Sequence, residues 1–431
     1  MKNVTVLFLL ILLLFACKES ESKKKITQNT NNQIVKTTID STDLFYYLVP
    51  GQKKGAPVVI FLDPHGEGKN PIEKYKDFAL EENIILVGLT NVRNNQSIFL
   101  QGIEHAVQLT KQTLKIEPEQ KIYIAGFSGG ARMAFYSSTT QNFNGILMCG
   151  AGPGNLNIDR LINPLAIITG TQDFNFAESY YPPESNLTWQ KKDIISIHYR
   201  GKHEWPPLNV FQLGITFLFN KTGVPINKKT DYLTLASEKE KSFDILEAYK
   251  LTELGYKTCN ENEQNEYITK LRNFSTDKIY KNYFYKLNIA LNHEMKRNRE
   301  LIDALQTKDL NWWENEYDNL INKIKNTGDH ITSDSYARSK ALLGVFLFSK
   351  TNNAIKTQLP NQTIMKFLSI YEMFEPENPD VFYFKALNNY RHHLDFKDEL
   401  SKAFELGFSD KERLTTDFGA EIANDFSKST F

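Results

Sequence analysis

Residues 126–130 of this chain read Gly-Phe-Ser-Gly-Gly, and they sit where an apolar, strand-like run, KIYIAG, gives way to a small-residue helical pattern, GARMAFYSST. A serine held between glycines at a strand-to-helix junction can serve as a nucleophile. The sharp turn exposes its hydroxyl, the flanking glycines let strand and helix approach closely, and the helix N-terminus faces any negative charge that develops. Against this stands the plainer reading of a glycine-rich turn. A serine hydroxyl needs a base to take its proton and a carboxylate to orient that base. Both follow in the chain. Asp173 lies just past the apolar run PLAIITG, and His203 lies in the loop RGKHEWP after the run IISIHY. Asp is common in turns, so Asp173 by itself would say little, and Glu178 is the next carboxylate on that loop. Two other histidines fit less well, since His198 falls within a strand-like run and His105 within a helical one.

The elements that must position these groups are legible between about residues 43 and 222. DLFYYLV, PVVIFLD, NIILVGLT, KIYIAG, GILMCG, PLAIITG and DIISIHY read as strands, most of them continuous apolar runs suited to a sheet buried on both faces. NPIEKYKDFALEE, SIFLQGIEHAVQLTKQTL and GARMAFYSST carry helical periodicity between them. The alternation predicts an α/β fold, a mostly parallel sheet flanked by helices, with function gathered at the carboxyl ends of the strands.

The order of an HG pair (His65-Gly66), the GxSxG, Asp173 and His203 resembles the α/β-hydrolase superfamily over residues 43–222. The loops GFSGGAR and GKHEWPP are similar to those of secreted esterases related to dienelactone hydrolases and polyhydroxybutyrate depolymerases. The resemblance implies Ser128 as nucleophile, His203 as general base, Asp173 as its orienting acid, and the backbone amides of Gly129, Gly66 and Glu67 as oxyanion donors, with no metal or organic cofactor. His65 has a bracing role in that reading, not a catalytic one. The loop from Asn91 to Asn95 either borders the pocket or is simply solvated. Between GILMCG and PLAIITG only AGPGNLNIDRLIN intervenes, too little for a large helical lid, so the expected substrates are soluble or polymer-borne esters.

The ends of the chain carry separate messages. Lys2 precedes the apolar run VTVLFLLILLLFA, too short to span a bilayer but the length of a signal-peptide core. Leu14-Phe15-Ala16-Cys17 resembles a bacterial lipobox. Residues 1–17 are therefore expected to be a lipoprotein signal peptide, with Cys17 lipidated and the mature protein membrane-anchored, facing the periplasm or the cell surface. The polar stretch from residue 18 to 35 is expected to be a flexible tether, and the hydrolase domain to span 36–222. Only Cys149 and Cys259 remain, which predicts neither a disulfide framework nor a metal site. Lys+Arg and Asp+Glu both number 51, a balance that offers no basis for nucleic-acid binding.

Residues 223–234 read as a linker, and 235–431 as an all-α domain rich in Lys, Glu, Asn and Tyr. Its last legible unit, residues 378–410, resembles one tetratricopeptide-like helix pair, with Ala386, Ala403, Gly407 and Phe408 at the small and punctuating positions. A generic bundle fits as well. His392 and His393 read as solvated. Three functions remain open on sequence: a carboxylic ester hydrolase, a serine peptidase using the same three residues, and a non-catalytic surface protein that engages a protein partner through its helices.

Overall fold

The computed structural model describes residues 32–39, 42–51, 54–94, 99–155, 158, 161–181, 193–227 and 229–429. The signal-peptide reading, Cys17 and Asn95 lie outside those residues. Eight strands form one sheet: β1 (Ile34–Ile39), β2 (Thr42–Leu48), β3 (Val58–Leu62), β4 (Ile85–Leu89), β5 (Ile122–Phe127), β6 (Gly145–Cys149), β7 (Leu165–Gly170) and β8 (Ile194–Tyr199). Their order across the sheet is β1-β2-β4-β3-β5-β6-β7-β8, antiparallel at β1/β2 and β2/β4 and parallel from there on. Every residue of β3, β4, β6, β7 and β8 is buried, which is why these strands read as unbroken apolar runs. β1 was not expected. Its first two residues fall within the segment read as a tether, and its sequence IVKTTI, half of it polar, pairs with β2 alone as an edge strand does.

Among the described residues, five helices belong to the sheet-bearing part: α1 (Lys69–Glu81), α2 (Phe99–Thr113), α3 (Gly129–Ser137), the single-turn α4 (Phe176–Ser179) and α5 (Leu208–Thr222). Ile103, Ala106 and Val107 of α2 join Ala131, Ala134 and Phe135 of α3 against one face of the sheet. Ile72, Tyr75 and Phe78 of α1 pack with Phe211, Ile215 and Leu218 of α5 against the other, where the Tyr75 and Phe211 rings stack 3.7 Å apart.

Eleven helices follow: α6 (Tyr232–Lys241), α7 (Ile245–Thr258), α8 (Gln264–Thr276), α9 (Lys278–Thr307), α10 (Leu310–Asn326), α11 (His330–Lys356), α12 (Asn361–Phe374), α13 (Pro379–Arg391), α14 (Lys397–Glu405), α15 (Lys411–Phe418) and α16 (Ala420–Ser429). In the α13–α14 pair, Ala386, Leu400 and Ala403 are buried with Phe408, and Gly407 closes the unit at φ 100°.

The junction differs from a solvated linker. α6 begins at Tyr232, inside the stretch 223–234, and Val224 and Ile226 pack on the sheet's second core. Tyr232, Ala236, Leu251, Leu254 and Tyr267 belong to that same core, so α6, α7 and α8 cover one face beside β8. Another cluster joins Phe176 and Tyr180 of the sheet-bearing part to Ile245, Leu246, Ala248 and Tyr249 of α7 and to Phe284, Leu287 and Ile331 beyond it. Helix α7 is buried on all sides from Ile245 to Gly255, the position of a helix between two bodies rather than on a surface. Its charges are paired: Lys250 Nζ lies 3.0 Å from Glu253, and Glu247 takes the Arg200 N–H at 2.8 Å and sits 2.5 Å from Lys239.

Candidate active site

The turn at Ser128 is strained. Its φ of 52° and ψ of −118° place a non-glycine residue in sparsely populated backbone space, at a cost of about 1–3 kcal/mol that the surroundings must hold in place. They do so from two sides. The Ser128 N–H donates to the Cys149 carbonyl at 2.8 Å, and its own carbonyl accepts from the Ala131 N–H at 3.1 Å. The glycines are required by backbone crowding: a Cβ on Gly126 would lie 2.1 Å from the Gly130 carbonyl oxygen, and one on Gly130 would lie 2.1 Å from that of Leu62. β5 therefore delivers the serine, and α3 starts directly behind it.

The structure brings Ser128, His203 and Asp173 together. Asp173 stands on the loop between β7 and α4 and is fully buried. His203 stands on the loop between β8 and α5. Its Nδ1 is 2.9 Å and 3.0 Å from the two Asp173 oxygens, and its Nε2 is 3.0 Å from Ser128 Oγ. An ionised carboxylate only accepts, so Nδ1 carries the hydrogen and Nε2 presents its lone pair to the serine hydroxyl. Asp173 is itself fixed, since its Oδ1 accepts the Asn175 N–H at 2.8 Å while Asn175 Nδ2 donates to the Gly150 carbonyl at 2.8 Å. Phe127 and Phe174 pack against the imidazole at ring distances of 4.7 and 4.3 Å. The strand order, with the serine on the turn after β5 and its partners after β7 and β8, settles the architecture. The fold is that of the α/β hydrolases.

No protein-family model matches the sequence, and no curated protein sequence matches it. Solved structures do resemble part of this chain. A serine hydrolase homologue from Coxiella burnetii has 10% identity, covers 45% of this chain and 99% of its own, and gives a TM-score of 0.32. Est1E from Butyrivibrio proteoclasticus has 15% identity, with 44% and 98% covered and a TM-score of 0.32. A dienelactone hydrolase from Anabaena variabilis has 14% identity, with 43% and 95% covered and a TM-score of 0.32. At this level of likeness the chemistry has to be argued from the residues themselves.

The expected oxyanion donors divide. Gly129 heads α3, and among the described residues its N–H has no acceptor, so it is free to meet a substrate oxygen. The Gly66 N–H is not free, because it closes a turn onto the Asp63 carbonyl at 3.1 Å, which removes Gly66 from the donors in this conformation. The Glu67 N–H is only weakly held, 3.5 Å from Asp63 Oδ1. Sequence reasoning passed over Asp63, whose buried carboxylate ties two active-site loops together. Its Oδ1 accepts the His65 N–H at 2.9 Å and its Oδ2 accepts the Trp205 indole N–H at 3.1 Å. The histidine loop is gripped further by Lys74 Nζ on the Trp205 carbonyl at 2.6 Å and the Tyr75 hydroxyl on the Pro206 carbonyl at 2.8 Å. Both letters, Asp63 and Trp205, stand in the quoted motifs; nothing in their spacing announced a bond across 142 positions.

The remaining candidates sort by contact. His65 and Glu67 are exposed, and Glu67 takes the Asn70 amide at 2.6 Å. Asn94 is a neighbour of the elbow: its N–H donates to the Pro64 carbonyl at 2.9 Å, and a Cβ on Gly129 would come within 1.9 Å of its Oδ1. Glu178 is occupied, both oxygens lying 2.9 Å from the Arg132 guanidinium. His198 is buried, with its ring nitrogens 3.0 Å from Thr169 Oγ1 and 3.1 Å from Ser196 Oγ. Burial, seconded by the charge of Lys250, holds its pKa well below the ordinary histidine value, so it stays neutral. His105 is exposed on α2. Burial raises the Cys149 thiol pKa and leaves it inert, and Cys259 is also a free thiol. A cavity of about 540 Å³ lies between β8, α5, α6 and α7, and none of Ser128, His203 or Asp173 lines it.

Proposed function

We propose that this protein is a serine hydrolase that cleaves carboxylic esters through an acyl-enzyme. The observation that carries the reading is the unbroken relay from Ser128 Oγ to His203 Nε2 at 3.0 Å and from His203 Nδ1 to the buried Asp173 at 2.9 Å, mounted on a strained elbow. Ser128 Oγ attacks the ester carbonyl carbon while Nε2 takes its proton. The tetrahedral oxyanion is met by the Gly129 N–H, with the loop at Glu67 as the second source of a donor. Collapse breaks the C–O bond to the leaving alcohol, which takes the proton back from His203, and a water activated by the same imidazole then releases the acid. The short connection across residues 150–164 supports soluble or polymer-borne esters over substrates that need a large lid. A fluorophosphonate probe should label the protein at Ser128, and Ser128→Ala should lose both the label and hydrolysis of p-nitrophenyl acetate. An unlabelled native protein, or an active Ser128→Ala, overturns the reading. A panel of acyl esters run beside peptide substrates then tests the ester preference.

We propose further that the protein works outside the cytoplasm as a membrane-anchored lipoprotein with Cys17 as the lipid attachment point, a reading supported by the sequence at residues 1–17. Cys17→Ser should abolish incorporation of labelled fatty acid and leave the signal segment uncleaved. Processing identical to that of the native chain would count against it. The helix pair at 378–410 supports a tetratricopeptide-like module able to hold a protein partner.

A further inference from the structure

Two residues ahead of Asp173 the loop is gripped by a side chain from far along the chain. Arg338 of α11 is 1% exposed, and one end of its guanidinium donates to the carbonyl of Thr171. Its other nitrogens are engaged by Glu294 of α9, with Nε 2.9 and 3.1 Å from the two carboxylate oxygens and the remaining terminal nitrogen 2.6 Å from one of them. The guanidinium lies 4.7 Å over the ring of Phe176, at the far end of the same loop. One turn earlier on α11, Asp334 accepts the side-chain amide of Gln172 at 2.8 Å. One face of α11 thus holds residues 171, 172 and 176, which bracket the carboxylate that orients His203. α11 is in turn set by α9, since Arg297 donates to Ser339 Oγ at 2.9 Å and to the Ser335 carbonyl at 2.9 Å.

A buried ion pair of this kind is poor evidence for a stabilising role. Taking both charges out of water costs about as much as their attraction returns, and apolar groups of the same volume often do as well. What an apolar replacement cannot do is hold a backbone carbonyl. The Thr171 N–H is already committed to the Tyr199 carbonyl at 2.8 Å and the Gln172 N–H to Gly201 at 2.9 Å, so the sheet side fixes one edge of the loop and Arg338 fixes the other. A planar guanidinium can serve Glu294 with one edge and Thr171 with another, whereas a lysine presents a single point charge.

We infer that Arg338, fixed by Glu294, is a positioning residue of the hydrolase site: the helical region holds the Thr171–Phe176 loop so that Asp173 meets His203. This rests on the proposed hydrolase reading. It makes the second region part of the catalytic apparatus, though none of its described residues is hydrogen-bonded to Ser128, His203 or Asp173.

The test uses the full-length chain. Arg338→Met combined with Glu294→Gln removes the grip without stranding a buried charge, and Arg338→Lys keeps charge but lacks the fork. The double variant is expected to lose roughly tenfold or more in kcat on p-nitrophenyl acetate, with KM within about threefold, because small displacements of catalytic groups act on the chemical step. Arg338→Lys should recover less than half of that loss. The decisive readout is a cycle with Asp173→Asn: if Arg338 acts through Asp173, adding the double variant to Asp173→Asn should cost less than about threefold more. Full kcat in the folded double variant, or the same tenfold loss in the Asp173→Asn background, overturns the inference. Should the double variant fail to fold, Asp334→Ala removes only the grip on Gln172. It should lower kcat about threefold, again only when Asp173 is present, and an unchanged kcat would equally overturn the inference. An active Ser128→Ala protein would instead remove the hydrolase reading itself, a different outcome from these.

Discussion

Replacing Asp173 by asparagine tests the relay at its least accessible member. Asp173 Oδ1 accepts the Asn175 N–H at 2.8 Å, so an asparagine keeps its oxygen there and turns its amide nitrogen to the Oδ2 position, 3.0 Å from His203 Nδ1. The retained oxygen is still 2.9 Å from Nδ1, but the amide N–H now at the Oδ2 position opposes an Nδ1–H, and that conflict favours moving the imidazole hydrogen to the other nitrogen. In that tautomer Nε2–H points at Ser128 Oγ across 3.0 Å, and the base is gone. Asp173 is 0% exposed, so its own side chain meets no bulk water. The expected loss is on the order of 10⁴-fold in kcat, about 5 kcal/mol of transition-state stabilisation, with KM little changed. Steady-state hydrolysis of p-nitrophenyl acetate measures it, and the rate of fluorophosphonate labelling at Ser128 should fall in parallel, since both need the same proton transfer. Asparagine matches aspartate in shape, so the unfolding midpoint serves as the control for an intact fold. A loss smaller than about tenfold in a folded variant would refute the assignment of the carboxylate. Glu178→Gln provides the contrast: Glu178 is engaged by Arg132, so its loss should leave the relay working.

Three further outcomes are expected. Gly130→Ala would force a Cβ to within 2.1 Å of the Leu62 backbone oxygen, so it should destabilise by at least about 1–3 kcal/mol in urea unfolding and displace the elbow enough to cut activity. A chain ended at Gly223 loses Tyr232, Leu251, Leu254 and Tyr267 from the sheet's core; at about 1.5–3 kcal/mol each they amount to about 6–12 kcal/mol, comparable with a whole domain's stability, so expression should give aggregate rather than an active hydrolase. Buried His198 has a folded-state pKa below its unfolded value, so the unfolded chain takes the proton first and stability is lost as pH falls through about 6.5, by up to about 1.4 kcal/mol per unit. His198→Asn should flatten that part of the stability–pH curve, and an unchanged slope would show that the histidine is not held neutral.

Much of the sheet was readable because its strands are buried on both faces, so that VVIFL, ILVGL, GILMC, LAIITG and IISIHY carry almost no polar residues. β1 was missed for the opposite reason. An edge strand pairs on one side only, and IVKTTI needs no apolar run to do so. The positions of Ser128, Asp173 and His203 were readable because each stands just past a strand's carboxyl end, where the sheet's twist and parallel order bring separate loops together. The oxyanion loop was less so. The Gly66 amide closes a turn onto the Asp63 main-chain carbonyl, while the Asp63 side chain is bound by Trp205 on a different loop.

The junction was misread for a physical reason that also bears on catalysis. In α7, Glu247, Lys250, Glu253 and Lys257 recur at helical spacing, the usual mark of a solvated face. Three of these charges are buried and paired, with Lys250 on Glu253 and Glu247 on Lys239 and the Arg200 N–H. Pattern alone cannot distinguish a charge in water from a charge in a satisfied pair, since both spare the chain an uncompensated burial. Once α7 is placed inside, the glycine and proline near residue 223 cease to mark a boundary between independent bodies, and the sheet's exposed flank becomes a shared core. Ser128 is held by the sheet and by α3, whereas the loop that carries Asp173 is held on one side by β8 and the loop after it and on the other by α11. Ser128 and Asp173 therefore depend on different parts of the molecule, and their alignment at 3.0 and 2.9 Å through His203 requires both parts to be folded against each other.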